Sequence, residues 1–187
     1  MRLHFVSREE YRKKDSQEFI GSLQKQFGDF YLLPEGGTNA LAVKGCAEIL
    51  SLIDIPFDHV CCPVGTGGTL AGIISSLREN QKAIGFSVLK GLSLTSKVSK
   101  TFEVRDYHFG GYAKHTPKLL KFIDNFEKQN NIPLEQVYTG KMMFGIYDLI
   151  QKGHFKRNET IIAIHTGGLQ GKLPRLSSKK SLREKGD

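Results

Sequence analysis

From Asp58 to Val64 the chain runs His59-Val60-Cys61-Cys62-Pro63 with no regular polar alternation, then breaks into Gly65-Thr66-Gly67-Gly68-Thr69-Leu70. An apolar run of this length, bounded by glycines, reads as a strand covered on both faces, and such strands belong to parallel sheets. The residues that follow, Gly67 to Leu77, have helical spacing. Ala83 to Leu89 reads as a strand, and Thr116-Pro117 opens a helix carrying Leu119, Leu120, Ile123 and Phe126. Proline suits the first helical position because its missing N–H has no intrahelical partner there. Residues 141–151 read as a further helix and Thr160 to Ile164 as a last buried strand, ending at His165-Thr166-Gly167-Gly168. Strand and helix in alternation define an α/β fold: a parallel twisted sheet with helices on both faces. On alternating strand geometry the adjacent Cys61 and Cys62 face opposite sides of that sheet.

Upstream, Leu3-His4-Phe5-Val6 is a short strand candidate. Residues 15–27 read as an amphipathic helix with Phe19, Ile20, Leu23 and Phe27 on one side. Phe30 to Leu33 form a second short apolar run, stopped by Pro34-Glu35-Gly36-Gly37. Thr38 then reads as the cap of a helix presenting Ala40, Val43, Ala47 and Leu50. The boundaries divide the chain into an N-terminal piece (1–33), an α/β body (34–171) and a basic tail (172–187). The net charge of +8 invites a nucleic-acid reading, but that tail holds six Lys and Arg against Glu184 and Asp187. Half the excess therefore sits in a segment with too few apolar residues to pack, without any zinc-finger or RNA-binding signature. No nucleic acid is expected as a partner, and no apolar stretch approaches a membrane span. Three cysteines without metal-knuckle spacing fit a reduced, cytoplasmic protein.

Three glycines in four positions between strand and helix form an anion cradle. The first backbone N–H groups of a helix are unpaired and lie at the positive end of its dipole, so a phosphate docks there. A dinucleotide fingerprint beginning at Gly65 would need glycine at position 70, where Leu70 stands; the following strand ends at Lys90 without the acidic ribose ligand. A P-loop would need Lys and Ser/Thr after the last glycine, and Gly72 is followed by Ile73-Ile74. Both owners are excluded. A ligand-free structural turn is the remaining alternative from the loop alone.

Four segments in order change that balance: Pro34-Glu35-Gly36-Gly37-Thr38-Asn39-Ala40-Leu41, Pro63 to Thr69, Val137-Tyr138-Thr139-Gly140-Lys141, and His165-Thr166-Gly167-Gly168. Together they resemble the 1-aminocyclopropane-1-carboxylate deaminase / D-cysteine desulfhydrase family over roughly residues 2–171. The resemblance implies pyridoxal 5′-phosphate as cofactor and the tryptophan synthase β-type fold (fold type II), here its large domain plus part of the smaller one. It implies that Gly65, Thr66, Gly67, Gly68 and Thr69 hold the cofactor phosphate, and that Thr139 and Thr166 lie near the pyridine nitrogen. Tyr112 would flank the ring, and Tyr138 would handle a proton at the substrate. Read without the family, Tyr138 is a core or cap residue, Thr166 a turn cap, and His165 structural. Lys141 is not expected to carry the cofactor. A neutral Thr139 where the deaminase branch has Glu makes the ring a poorer electron sink, which leans toward desulfhydrase-like elimination.

The same resemblance exposes a departure. The family's Gly-Asn-Lys stretch, which carries the cofactor covalently, and its Ser-Asn-His loop do not occur in this sequence. By alignment with the family pattern, about a hundred N-terminal residues are expected to be absent, core faces near residues 1–33 are expected to be uncovered, and the isolated chain is expected to be inactive. The function implied is a lyase or deaminase homologue acting on small amino acids. The alternative is a non-catalytic phosphate- or pyridoxal-phosphate-binding remnant, or one half of a complemented enzyme. A homodimer or a complementing N-terminal piece is the partner expected.

Overall fold

The computed structural model describes residues 3–91 and 101–173. The chain divides into two compact units, Met1–Pro34 and Glu35–Asp187. In the first, Ser7 starts helix α1 (Arg8–Arg12) with a capping box to Glu10, and Ser16 starts helix α2 (Gln17–Phe27) by accepting from the Phe19 N–H. Leu3 to Val6 do not form the strand expected of them. An apolar tetrapeptide becomes a strand only when a neighbour takes its hydrogen bonds, and none of the sheet's ladders reaches it. Phe19, Ile20 and Leu23 are only half-buried, and no described residue of this unit is fully buried.

The second unit is built on four parallel strands in the order β3-β2-β1-β4. Strand β1 (His59–Val64) is buried at every position and pairs with β2 (Lys82–Ser87) from His59↔Lys82 to Val64↔Ser87. On its other side β4 (Ile161–Ala163) pairs from His59↔Ile161. Strand β3 (Phe102–Asp106) is absent from the sequence reading because three of its five residues are charged. Glu103 and Arg105 answer each other at 2.6 Å, and only Val104 is buried. Strand β4 corrects a second expectation: it is an edge strand, half-buried at Ile161 and Ile162 and exposed at Ala163.

Pleating sends Val60, Cys62 and Val64 into one apolar layer with Leu70 and Ile73 of helix α4 (Gly68–Ser75). Cys61, Ile84 and Phe86 point the other way, against Met142, Ile146 and Leu149 of helix α6 (Thr139–Gln151). The two cysteines thus face opposite layers, as their adjacency requires. Burial pushes the Cys62 thiol up to about 12 and holds Cys61 protonated as well, so both act as small apolar side chains. Helix α5 (Pro117–Asn130), opened by Thr116 and Pro117, lays Leu119, Ile123 and Phe126 beneath α6 with Leu134. Each such side chain contributes roughly 1.5–3 kcal/mol on leaving water. The N-terminal cap of helix α3 (Ala40–Ala47) is Asn39, not Thr38; its Oδ1 accepts from the Ala42 N–H at 2.8 Å. Ala40 is exposed, and the face turned inward is carried by Val43, Cys46 and Ala47.

The body continues to the last described residue. Lys172 pairs with Glu127, and the Leu173 N–H donates to Gln136 Oε1 at 3.1 Å, so two residues assigned to the basic tail are pinned to the sheet unit. The rest of that tail, 174–187, lies outside the described residues.

Candidate active site

Strands β1, β2 and β3 follow one another outward in one direction, whereas β4 lies on the opposite side of β1. Where neighbouring connections of a parallel sheet diverge in this way, a crevice opens at the carboxyl ends of the strands. The glycine loop occupies that position. Gly67 caps α4 with φ 96°, a left-handed conformation natural to glycine, and no side chain bonds the first amides of the helix. Those N–H groups are therefore available to an anion.

The loop is braced by the segment before α3. The Thr38 and Thr66 hydroxyls lie 2.5 Å apart. A Cβ on Gly68 would come within 2.7 Å of Thr38 Oγ1, and one on Gly36 within 2.6 Å of Thr66 Cγ2. Each threonine thus packs over a glycine of the other segment. That reciprocity requires Gly-Gly-Thr at 36–38 and Thr-Gly-Gly at 66–68, and it gives Thr38 a role the cap reading missed.

A cavity of about 810 Å³ opens over this brace, lined by residues 35–38, 65–70 and 166–168 together with Ala42, Cys46, Pro63, Leu89, Tyr112 and Tyr138. Of the expected site residues, Gly65, Thr66, Gly67, Gly68, Thr69, Tyr112, Tyr138 and Thr166 share it. The Tyr138 ring lies over Gly65, with Cε1 3.5 Å from where a Cβ would stand. The Tyr112 and Tyr138 ring centroids are 6.1 Å apart, edge to face.

Thr139, expected beside a ring nitrogen, is not among the residues lining this cavity. It is fully buried, its hydroxyl donating to Glu135 Oε1 and accepting from the Glu135 N–H, both at 3.1 Å. Glu135, which sequence reading missed, is the organiser of this corner. Its carboxylate accepts from the N–H groups of Val137, Tyr138 and Thr139 at 2.5, 2.7 and 2.6 Å. These amides begin α6, so a carboxylate there complements the helix dipole while fixing the backbone of Tyr138. The signal was present as an acidic residue just ahead of the helix start. His165 donates through Nε2 to the Pro133 carbonyl (2.9 Å) and accepts the Gly167 N–H at Nδ1 (3.1 Å), a structural assignment.

Burial pushes the Tyr138 phenol up to about 12, with the Tyr112 hydroxyl bonded beside it and Glu135 adding to the effect. The folded phenol keeps its proton to higher pH than the unfolded one. Its contribution to stability is therefore complete below pH 10.0, the ordinary value, and is lost as pH rises toward about 12. Urea unfolding across that range should show the loss, and the Tyr138→Phe variant should show a shallower one. Identical slopes for the two proteins would contradict the assignment.

A glycine turn at a helix start, flanking hydroxyls and two tyrosines around one cavity make this a candidate site. The chain belongs to the pyridoxal-phosphate dependent enzyme family, whose model matches residues 2–167. It is similar to a Pyrococcus horikoshii protein named for 1-aminocyclopropane-1-carboxylate deaminase, with 32% identity over 84% of this chain and 55% of that protein. A mitochondrial bifunctional D-cysteine desulfhydrase/1-aminocyclopropane-1-carboxylate deaminase of Arabidopsis thaliana is 28% identical over 96% of this chain and 53% of its own length. Among solved structures, an ACC deaminase homologue superposes with TM-score 0.73 at 30% identity, covering 91% of this chain and 59% of that one. The chain thus spans little more than half the length of the relatives it matches.

Proposed function

We propose that this chain supplies the cofactor-phosphate half of a pyridoxal 5′-phosphate site of the 1-aminocyclopropane-1-carboxylate deaminase / D-cysteine desulfhydrase type, acting on a small amino acid. The observation that carries the reading is the uncapped amide nest at Gly65–Thr69, opening into a cavity that also gathers Tyr112, Tyr138 and Thr166. The residues present fit the phosphate end of the group: the nest is free of side chains except two hydroxyls, both of which can donate. Bound there, pyridoxal phosphate supplies an electron sink for charge developing at the substrate's α-carbon.

This chain's own residues would do the rest. Amides of Gly67 to Thr69 fix the phosphate; Thr66 and Thr38 hold the loop in shape. Tyr112 walls the cavity beside the ring, and Thr166 presents a hydroxyl from the turn after β4. Tyr138, kept neutral by its surroundings, is suited to give a proton and poorly suited to accept one at neutral pH. With a neutral threonine at position 139, no carboxylate is offered to a ring nitrogen from that position, and this supports elimination of a Cβ substituent over ring opening.

The described lining includes no lysine, and the buried Lys141 is bonded to backbone carbonyls. The isolated chain is therefore expected to bind pyridoxal phosphate non-covalently and to form no product. Calorimetric titration with pyridoxal phosphate, with inorganic phosphate as competitor, checks the binding. Formation of pyruvate from D-cysteine or 2-oxobutyrate from 1-aminocyclopropane-1-carboxylate above a protein-free control would refute the second half. Addition of a separately produced N-terminal segment from a full-length relative tests whether this chain works as one half of a complemented enzyme.

A further inference from the structure

The segment between β3 and α5 carries Tyr112 in an unusual backbone. Phe109, Gly110, Gly111 and Ala113 all have positive φ, at 54°, 99°, 128° and 55°. Two of these are not glycine, and L-residues hold such a conformation only where their surroundings impose it. What imposes it comes from α6. Lys141 is fully buried, and its ammonium donates to the His108 and Gly111 carbonyls, each at 2.9 Å. The Phe109 ring stands edge-on to Phe144 of the same helix, centroids 5.1 Å apart.

A buried cation is ordinarily paired with a carboxylate. Here both of its described bonds go to carbonyls of one loop, while the acidic group that acts on it, Glu135, is occupied by the amides at the start of α6. Burial disfavours the charge, and the two carbonyl bonds offset that cost. Two carbonyls that converge on one point from a turn can be met together by a donor with several N–H groups on a long stem, which lysine provides. Tyr138 sits at the cap of α6 and Lys141 three residues on. The helix that carries one cavity tyrosine therefore also grips the loop that carries the other.

We infer that Lys141 is a positioning residue: inserted between the His108 and Gly111 carbonyls, it locks the 108–113 loop to α6 and so sets Tyr112 against Tyr138 at the cavity. The loop-locking part stands on the geometry alone; its consequence for a bound ring rests on the function proposed above. Lys141→Met keeps the stem and removes the donors. Hydrogen exchange in a peptide covering 107–116 should then speed up by roughly 10-fold or more, while α5 exchanges as before. Unchanged loop exchange overturns the inference.

The variant leaves the His108 and Gly111 carbonyls without this donor, at roughly 1–3 kcal/mol each where no water replaces it, and loosening of the loop toward water should let it fold. If it does not, ammonium-detected NMR of the unsubstituted protein decides. Lys141 protons shielded from water support the lock; protons exchanging as fast as those of surface lysines overturn it. In the folded variant, pyridoxal phosphate affinity should fall roughly 10-fold and inorganic phosphate affinity less than about two-fold. Equal losses for both ligands would place the effect on the phosphate loop and overturn the role assigned to Tyr112. If the unsubstituted protein binds neither ligand, the proposed function fails, and the exchange comparison alone decides for Lys141.

Discussion

Gly67→Asp should weaken pyridoxal phosphate binding by at least about 100-fold. Two effects act in the same direction. An L-residue at φ 96° costs of order 1–2 kcal/mol where the loop must keep its shape. A carboxylate roughly 4 Å from a phosphate adds about 4 kcal/mol of repulsion per unit charge at an effective dielectric constant near 20. The milder Gly67→Ala isolates the first effect, and roughly a 10-fold loss is expected of it. Calorimetry with all three proteins separates strain from charge. Affinity in Gly67→Asp equal to that of the unsubstituted chain would mean that the phosphate is held elsewhere, and the proposed site would fall with it.

The second large effect concerns stability. Gly72 lies inside α4, where a Cβ would stand 2.4 Å from the Cys46 Cβ and 2.6 Å from the Val43 carbonyl oxygen of α3. Neither neighbour is the flexible end of a side chain. Gly72→Ala should therefore destabilise the sheet unit by about 3 kcal/mol, against the gain of up to about 1 kcal/mol that alanine brings to a helix interior. Because α3 leads back to Thr38 and α4 to Thr66, the separation forced on these helices should also loosen the brace at the cavity. Gly21→Ala is the control: Gly21 lies in α2 with nothing within 4 Å of its Cβ position, so the same change should be neutral or stabilising. Denaturant midpoints that move alike in the two variants would show that propensity, not helix contact, governs both.

The parts of this molecule legible before its structure were those written in local pattern. Val60 to Val64 announces a doubly covered strand by the absence of polar alternation, and Thr116-Pro117 announces a helix start by capping chemistry. The glycine loop announces a tight turn into a helix whose first amides lack an intrahelical partner. Residues 65–69, 138 and 166 fall in the four ordered segments, Tyr112 was carried over beside them from the family resemblance, and the fold brings all of them to one cavity. Misread elements were those whose identity depends on a neighbour. Phe102–Asp106 becomes a strand because β2 offers an edge, though its charges hide it, while Leu3 to Val6 look like a strand and have no strand partner among the described residues.

By itself, then, the sequence determined the alternation of strands and helices, the opposed faces of Cys61 and Cys62, and the glycine turn between β1 and α4. All of these follow from periods of two or 3.6 residues and from the conformational freedom of glycine. Only the tertiary structure decided that the Thr38 hydroxyl meets that of Thr66, that Thr139 bonds Glu135, and that Lys141 donates to the His108 and Gly111 carbonyls. Those pairings join residues whose chemistry is ambiguous alone: a hydroxyl, a carboxylate or an ammonium serves equally well in solvent. It is burial beside one particular partner, with water excluded, that makes each of them specific.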